Sequence, residues 1–173
     1  MLKHPSLRLG VSTKTDDRVH AMDDCKALPL SQLMLQLVPE LYPVHILTDE
    51  GGILKEDIVI PQPPRLALNS GSIDRNGAFL LDTGTYLYLW VGSAISPTFC
   101  SQVFNRPDFS SLEDGLCDLP ELENEMIKID TSDCCREDSR NRHVFIQYMI
   151  EDKTESSMSY YEFLQHIQKQ QKS

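Results

Sequence analysis

The residues of this chain with any capacity for chemistry are five cysteines, five histidines and one run of carboxylates. Cys25, Cys100, Cys117, Cys134 and Cys135 are odd in number and include no Cys-x-x-Cys pair, so neither a zinc site nor a disulfide framework is expected. Cys100 shares the apolar side of a predicted helix with Phe99, Val103 and Phe104, and no base stands at a recognisable spacing from it. It reads as a small buried hydrophobe rather than a nucleophile. His4, His20, His45, His143 and His166 are scattered without the paired spacing of metal ligands. Glu113, Asp114, Asp118, Glu121, Glu123 and Glu125 could offer oxygens to calcium, but they lack the alternation of an EF-hand loop and read as a solvated acidic loop. No Gly-x-Ser-x-Gly turn and no phosphate-cradling glycine loop occurs. No catalytic, cofactor-binding or metal-ligating residue is therefore expected, no cofactor is implied, and an enzyme is the least favoured class.

Charge narrows the choice of partners. Sixteen Lys and Arg against 26 Asp and Glu give a formal charge of -10, which repels nucleic acid phosphates and anionic headgroups. The amino terminus, Met1 to Arg8, has no apolar core of the secretory kind, and no apolar run approaches the roughly 18 to 20 residues that span a bilayer. A polyanion-binding role is therefore not expected, and the chain is expected to stay in the cytosol.

The element around which the rest must pack is Gly77 to Gly92. Asp82-Thr83-Gly84 is turn chemistry between two apolar runs, so a β-hairpin is predicted, with Gly84 supplying a positive φ. On its second arm Tyr86, Tyr88 and Trp90 face one way and Leu87, Leu89 and Val91 the other, since side chains alternate along a strand. Both faces are apolar, which predicts a central strand with helices on each side.

Upstream, Thr13 to Asp17 offers capping oxygens and first-turn acids for a helix whose stripe is Val19, Met22 and Cys25. A second helix starts at Pro29, carries Leu30, Leu33, Met34, Leu37 and Val38 at helical spacing, and stops at Pro39. Leu7 to Val11 resembles the edge of a unit begun earlier. Between Thr48 and Ser72, Gly51-Gly52 and Pro61-Gln62-Pro63-Pro64 predict a stiff linker with one short strand at Ile58 to Ile60. Downstream, Ser96-Pro97 opens a helix that ends before Arg106-Pro107, and Val144, Phe145, Tyr148 and Met149 predict a short helix. Ser159 to Glu162 is a capping box, with Met158 and Phe163 placed as a staple, for a last helix burying Tyr160, Phe163, Leu164 and Ile167.

This order of segments resembles the carboxy-terminal end of the cargo-selecting subunit of the COPII vesicle coat, the Sec24 family. The residues that carry the resemblance are Asp16 to Val19 with Ala21-Met22, Leu41-Tyr42, Thr48 to Gly51, Ile60 to Pro64, Gly77 to Gly92, Asp118 to Leu122, and Ile150 to Ile167. It implies an α+β chain: an all-helical tail over residues 1–47, a proline-rich linker with short strands over 48–75, and a gelsolin-like domain over 76–173 with a central sheet flanked by helices. It also implies protein partners, namely COPII coat subunits and cargo, and membrane association only through the coat. The family's zinc-finger, trunk and β-barrel regions, which carry the main contacts, are not represented, so no cargo or zinc residue is transferred.

One stretch departs from the family pattern. Where a long helix and an aliphatic strand belong, this chain has Met126-Ile127-Lys128-Ile129 and then the polar run Asp130 to Arg142, a domain shortened around 126–142. The expectation is a disordered run near Asp130 to Arg142 and an uncovered apolar face on the hairpin. The function implied is a non-catalytic part of a coat adaptor. A free-standing gelsolin-like module binding actin or calcium is the alternative, disfavoured by the helical prelude and the Tyr160-Tyr161-Glu162-Phe163-Leu164 ending.

Overall fold

A computed structural model describes residues 5–7, 14–48, 50–55, 57–113, 115–116, 132–149 and 160–171. Its helices are α1 (Thr15–Ala27), α2 (Leu30–Leu37), α3 (Pro97–Phe104), α4 (Arg142–Ile146) and α5 (Tyr160–Gln171). Its strands are β1 (Glu40–Pro43), β2 (Ile53–Lys55), β3 (Ile58–Ile60), β4 (Ala78–Asp82), β5 (Leu87–Val91), β6 (Gly115–Leu116) and β7 (Ser132–Arg136). Five strands form one sheet in the order β1-β4-β5-β7-β6, and β2 with β3 forms a separate hairpin. The fold is α+β, as expected.

The hairpin at the centre follows from its turn. Gly84 has φ +79, and the Asp82 carboxylate accepts from its amide at 2.8 Å. Thr83 is buried, and its hydroxyl donates to the Tyr86 carbonyl at 2.9 Å while accepting from the Tyr86 amide at 3.0 Å. These bonds pin the register in which Leu81 faces Tyr88 and Phe79 faces Trp90. The middle strand β5 is covered on both faces. On one, Tyr88 and Trp90 pack with Leu41, Phe79, Leu81, Cys135, Phe145, Tyr148 and Met149. On the other, Leu89 and Val91 pack with Ala78, Ile95, Cys100, Leu112 and Cys134. Tyr86, placed on the first face by alternation, precedes the strand and is exposed.

The predicted disorder after Asp130 is overturned within the described residues. Ser132–Arg136 is a core strand, parallel to β5, with Cys134 opposite Leu89 and Cys135 opposite Trp90. Each cysteine is 1% exposed, one on each face of the sheet. Two small hydrophobes thus fill the two faces of this strand, whose backbone pairs with β5 along its length and with β6 at Asp133 and Cys134. No face of β5 is left open, because Leu89, Trp90 and Val91 are all buried. Met126 to Ile129 lie outside the described residues.

Other expectations hold or shift locally. Ser96 caps α3, its hydroxyl accepting from the Phe99 amide at 3.1 Å, with Pro97 at the first turn and Asn105 in the left-handed region (φ 52) closing the helix. Ser96→Ala is expected to lower stability by about 1 kcal/mol, read as a shift in urea midpoint at unchanged slope. At α1 the capping position is Lys14 and makes no side-chain bond, so Asp16 and Asp17 act on the helix dipole alone. Its expected stripe is not buried: Val19 and Met22 are exposed, Cys25 is half-buried, and Ala21 is the buried residue. In α2, Pro29 caps rather than enters the helix, and Leu30, Met34 and Val38 are exposed while Leu33 and Leu37 are half-buried. The region expected as linker with one strand holds a two-strand hairpin instead.

The main topological surprise is β1. Glu40–Pro43, expected within the helical tail, pairs antiparallel with β4, and its Leu41 is fully buried beside Leu81. The final helix is present as α5, with Gln165, Gln168 and Lys169 exposed and Ile167 half-buried. Ser159 and the proposed staple partner Met158 lie outside the described residues.

Candidate interaction surface

The residues with chemical potential are dispersed by the fold rather than gathered. Cys100 is fully buried, and that burial, followed by the negative charge of Asp108, pushes its thiol above the ordinary value, the wrong direction for a nucleophile. Cys134 and Cys135 lie on opposite faces of the sheet. His20, His143 and His166 are exposed, and His45 is tied by Nδ1 to the Ala78 carbonyl at 3.0 Å with its ring edge on Phe79. Of the acidic run, Glu113 is exposed and sits 3.6 Å from Arg106. Asp114, Asp118, Glu121, Glu123 and Glu125, as well as Cys117 and His4, lie outside the described residues. Among the described residues no group of three or more His, Cys, Asp or Glu could hold a metal ion.

What the fold builds is a rigid frame with two polar clamps. At one end of the sheet, Glu137 accepts from the Ser93 amide at 2.7 Å and sits 3.6 Å from Arg75, while its own amide donates to the Val91 carbonyl at 3.0 Å. Arg75 also donates to the Ser93 hydroxyl at 3.1 and 3.2 Å. Burial pushes the Glu137 carboxyl up, but the bonds from Ser93 and the charge of Arg75 outweigh it and hold the group below its ordinary value of 4.5. The beginning of the β4 arm and the ends of β5 and β7 are thereby tied into one corner.

That shift has a sign. A carboxyl depressed in the folded state stabilises the fold above its unfolded value and loses the contribution as pH falls through the folded one. Glu137→Gln is therefore expected to cost about 1 kcal/mol at pH 7, the side chain being partly solvated. The gap to wild type should narrow between pH 7 and pH 3 in urea unfolding; a gap that stays constant would show that shape, not charge, matters there.

At the second clamp Arg136 makes two bonds to Asp138, at 3.0 and 2.8 Å, donates to the Leu112 carbonyl at 2.7 Å and lies 4.6 Å over the Phe109 ring. It joins β7 to the segment after α3, the kind of planar, multivalent contact that lysine would not reproduce. On the opposite edge, Glu40 holds both Tyr42 and Arg65, and the hydrogen bond that the Tyr42 hydroxyl donates to the Glu40 carboxylate is the main reason that hydroxyl is pushed above its ordinary value. The Leu66 amide donates to the Leu41 carbonyl at 2.8 Å, so a bridge covers part of the outer side of β1.

The helical prelude is docked on the hairpin turn. The Gln36 side chain donates to the Thr85 hydroxyl at 2.9 Å, and a Cβ at Gly84 would come within 2.7 Å of the Gln32 carbonyl and 2.9 Å of Leu35 Cβ. Glycine is required there twice over, for its φ and for the closeness of α2. Apolar side chains remain exposed on α1 and α2 (Val19, Met22, Leu30, Met34, Val38) and on the β2–β3 hairpin (Ile53, Leu54, Ile58, Val59, Ile60). Their burial could not be judged from periodicity, which gives a face but not what lies against it.

Comparison with known proteins agrees with this architecture. A gelsolin repeat is matched over residues 59–127. The chain is 41% identical to protein transport protein Sec24A of Mus musculus over 98% of its own length and 17% of the relative's. It is 37% identical to protein transport protein Sec24B of Homo sapiens, covering 98% of this chain and 15% of that one. Likeness to protein transport protein SEC24 of Kluyveromyces lactis is 29% over 96% of this chain and 22% of that protein. The chain thus spans about one sixth of the length of its mammalian relatives. Its fold matches the crystal structure of the human COPII-coat protein Sec24c with a TM-score of 0.70 at 23% identity, over 96% of this chain and 24% of that one. The alignment to the mouse relative runs to 185 positions, longer than this chain, so that relative has residues where this chain has gaps.

Proposed function

As a chain that belongs to the Sec24 family, this protein, we propose, acts as a non-catalytic part of a COPII coat cargo-adaptor subunit in protein transport from the endoplasmic reticulum to the Golgi. The observation that carries the reading is identity of 37 and 41% to two mammalian transport proteins across 98% of the chain. The frame described above supports a role in shape and protein contact: its polar side chains clamp strands to one another, and its only buried thiols among the described residues pack in the core.

Partners on this reading are coat subunits and transported cargo, met at the cytosolic face of the endoplasmic reticulum and on vesicles. No helix among the described residues is long and apolar enough to cross a membrane. On this reading the chain divides into a helical tail, a proline-rich linker and a gelsolin-like domain over 76–173, and the pairing of β1 with β4 supports moving the end of the helical tail from residue 47 to near Pro39.

The test is a chimera in which this chain replaces the matching segment of mouse Sec24A in a reconstituted budding reaction from endoplasmic reticulum membranes. Recruitment and budding near the parent's level are expected. A chimera that resists protease as the parent does but is not recruited would overturn the proposal. Sedimentation of the chain with actin filaments, with and without calcium, tests the alternative reading as a free-standing gelsolin-like module.

A further inference from the structure

We draw no further inference here: the strongest candidate, the β2–β3 hairpin with Ile53, Leu54, Ile58, Val59 and Ile60 open to solvent, is an unpartnered apolar surface, and nothing in the structure shows what covers it.

Discussion

Replacing Phe145 by Ala is expected to remove about 3 to 5 kcal/mol of folding stability, the usual cost of emptying a buried aromatic site. Phe145 is fully buried, and its ring centroid lies 5.3 Å from that of Trp90 at an interplanar angle of 39°. Its helix, α4, has five residues, too few to persist by propensity, so its position depends on this side chain together with Tyr148 and Met149. Loss of the ring would open a void against Trp90, Cys135 and Tyr148 that the β-sheet backbone cannot close by moving. Against a typical stability of about 5 to 15 kcal/mol, the loss is roughly a fifth of the total or more. Trp90 is the chain's only tryptophan, so its fluorescence reports both the unfolding curve and the local environment. A change under about 1 kcal/mol, with the Trp90 emission unmoved, would show that α4 does not close this face of the sheet.

The same face shows how far the amino-acid sequence carries. The hairpin was legible because each level agrees: alternating apolar side chains, an Asp-Thr-Gly turn, and glycine where φ must be positive. So was α3, whose Ser-Pro start and apolar face act within eight residues. What was not legible is pairing between distant segments. The strand Ser132–Arg136 hides in a polar run, because two of its five residues suffice to fill both sides and parallel pairing with β5 supplies the rest through backbone bonds. β1 hides for a similar reason: Pro39 and Pro43 flank or end four residues, and proline is tolerated only because this is an edge of the sheet. Conversely, the apolar stripes of α1 and α2 are legible as faces, but periodicity cannot distinguish a face packed in this chain from one left open.

The candidate surface was legible mostly by exclusion. The sequence disfavours catalysis through missing ligand spacings alone, and the burial of Cys100 gives the physical reason why that thiol packs rather than reacts. The clamps at Glu137 and Arg136 carried no signal, since each joins residues 24 or more positions apart: Glu137 to Ser93 and Arg136 to Leu112. Only the topology brings them together.

Gly92→Val should be about as damaging as the loss of Phe145, through an opposite cause. A Cβ at Gly92 would lie 2.3 Å from the Arg75 carbonyl oxygen, 2.5 Å from its carbonyl carbon and 2.8 Å from its Cα. These are backbone atoms, so no rotamer change relieves the overlap; the segment before β4 must separate from the end of β5. Four bonds cross that place: the Gly92 amide to the Gly77 carbonyl at 2.9 Å, the Ala94 amide to the Arg75 carbonyl at 2.7 Å, and two from the Arg75 guanidinium to the Ser93 hydroxyl. Overpacking costs about 1 to 3 kcal/mol, and each bond forfeited adds about 1 kcal/mol, so a loss of roughly 3 kcal/mol or more is expected. The Arg75–Glu137 pair should open with it, so that adding Glu137→Gln to Gly92→Val costs less than it does alone. Gly71→Ala is the control, since the nearest atom to its added Cβ is 3.5 Å away in ordinary contact, and it should change stability by no more than about 0.5 kcal/mol. Equal urea midpoints for Gly92→Val and Gly71→Ala would mean that the corner between β4 and β5 yields without cost, and the clamp at Glu137 would then hold nothing in place.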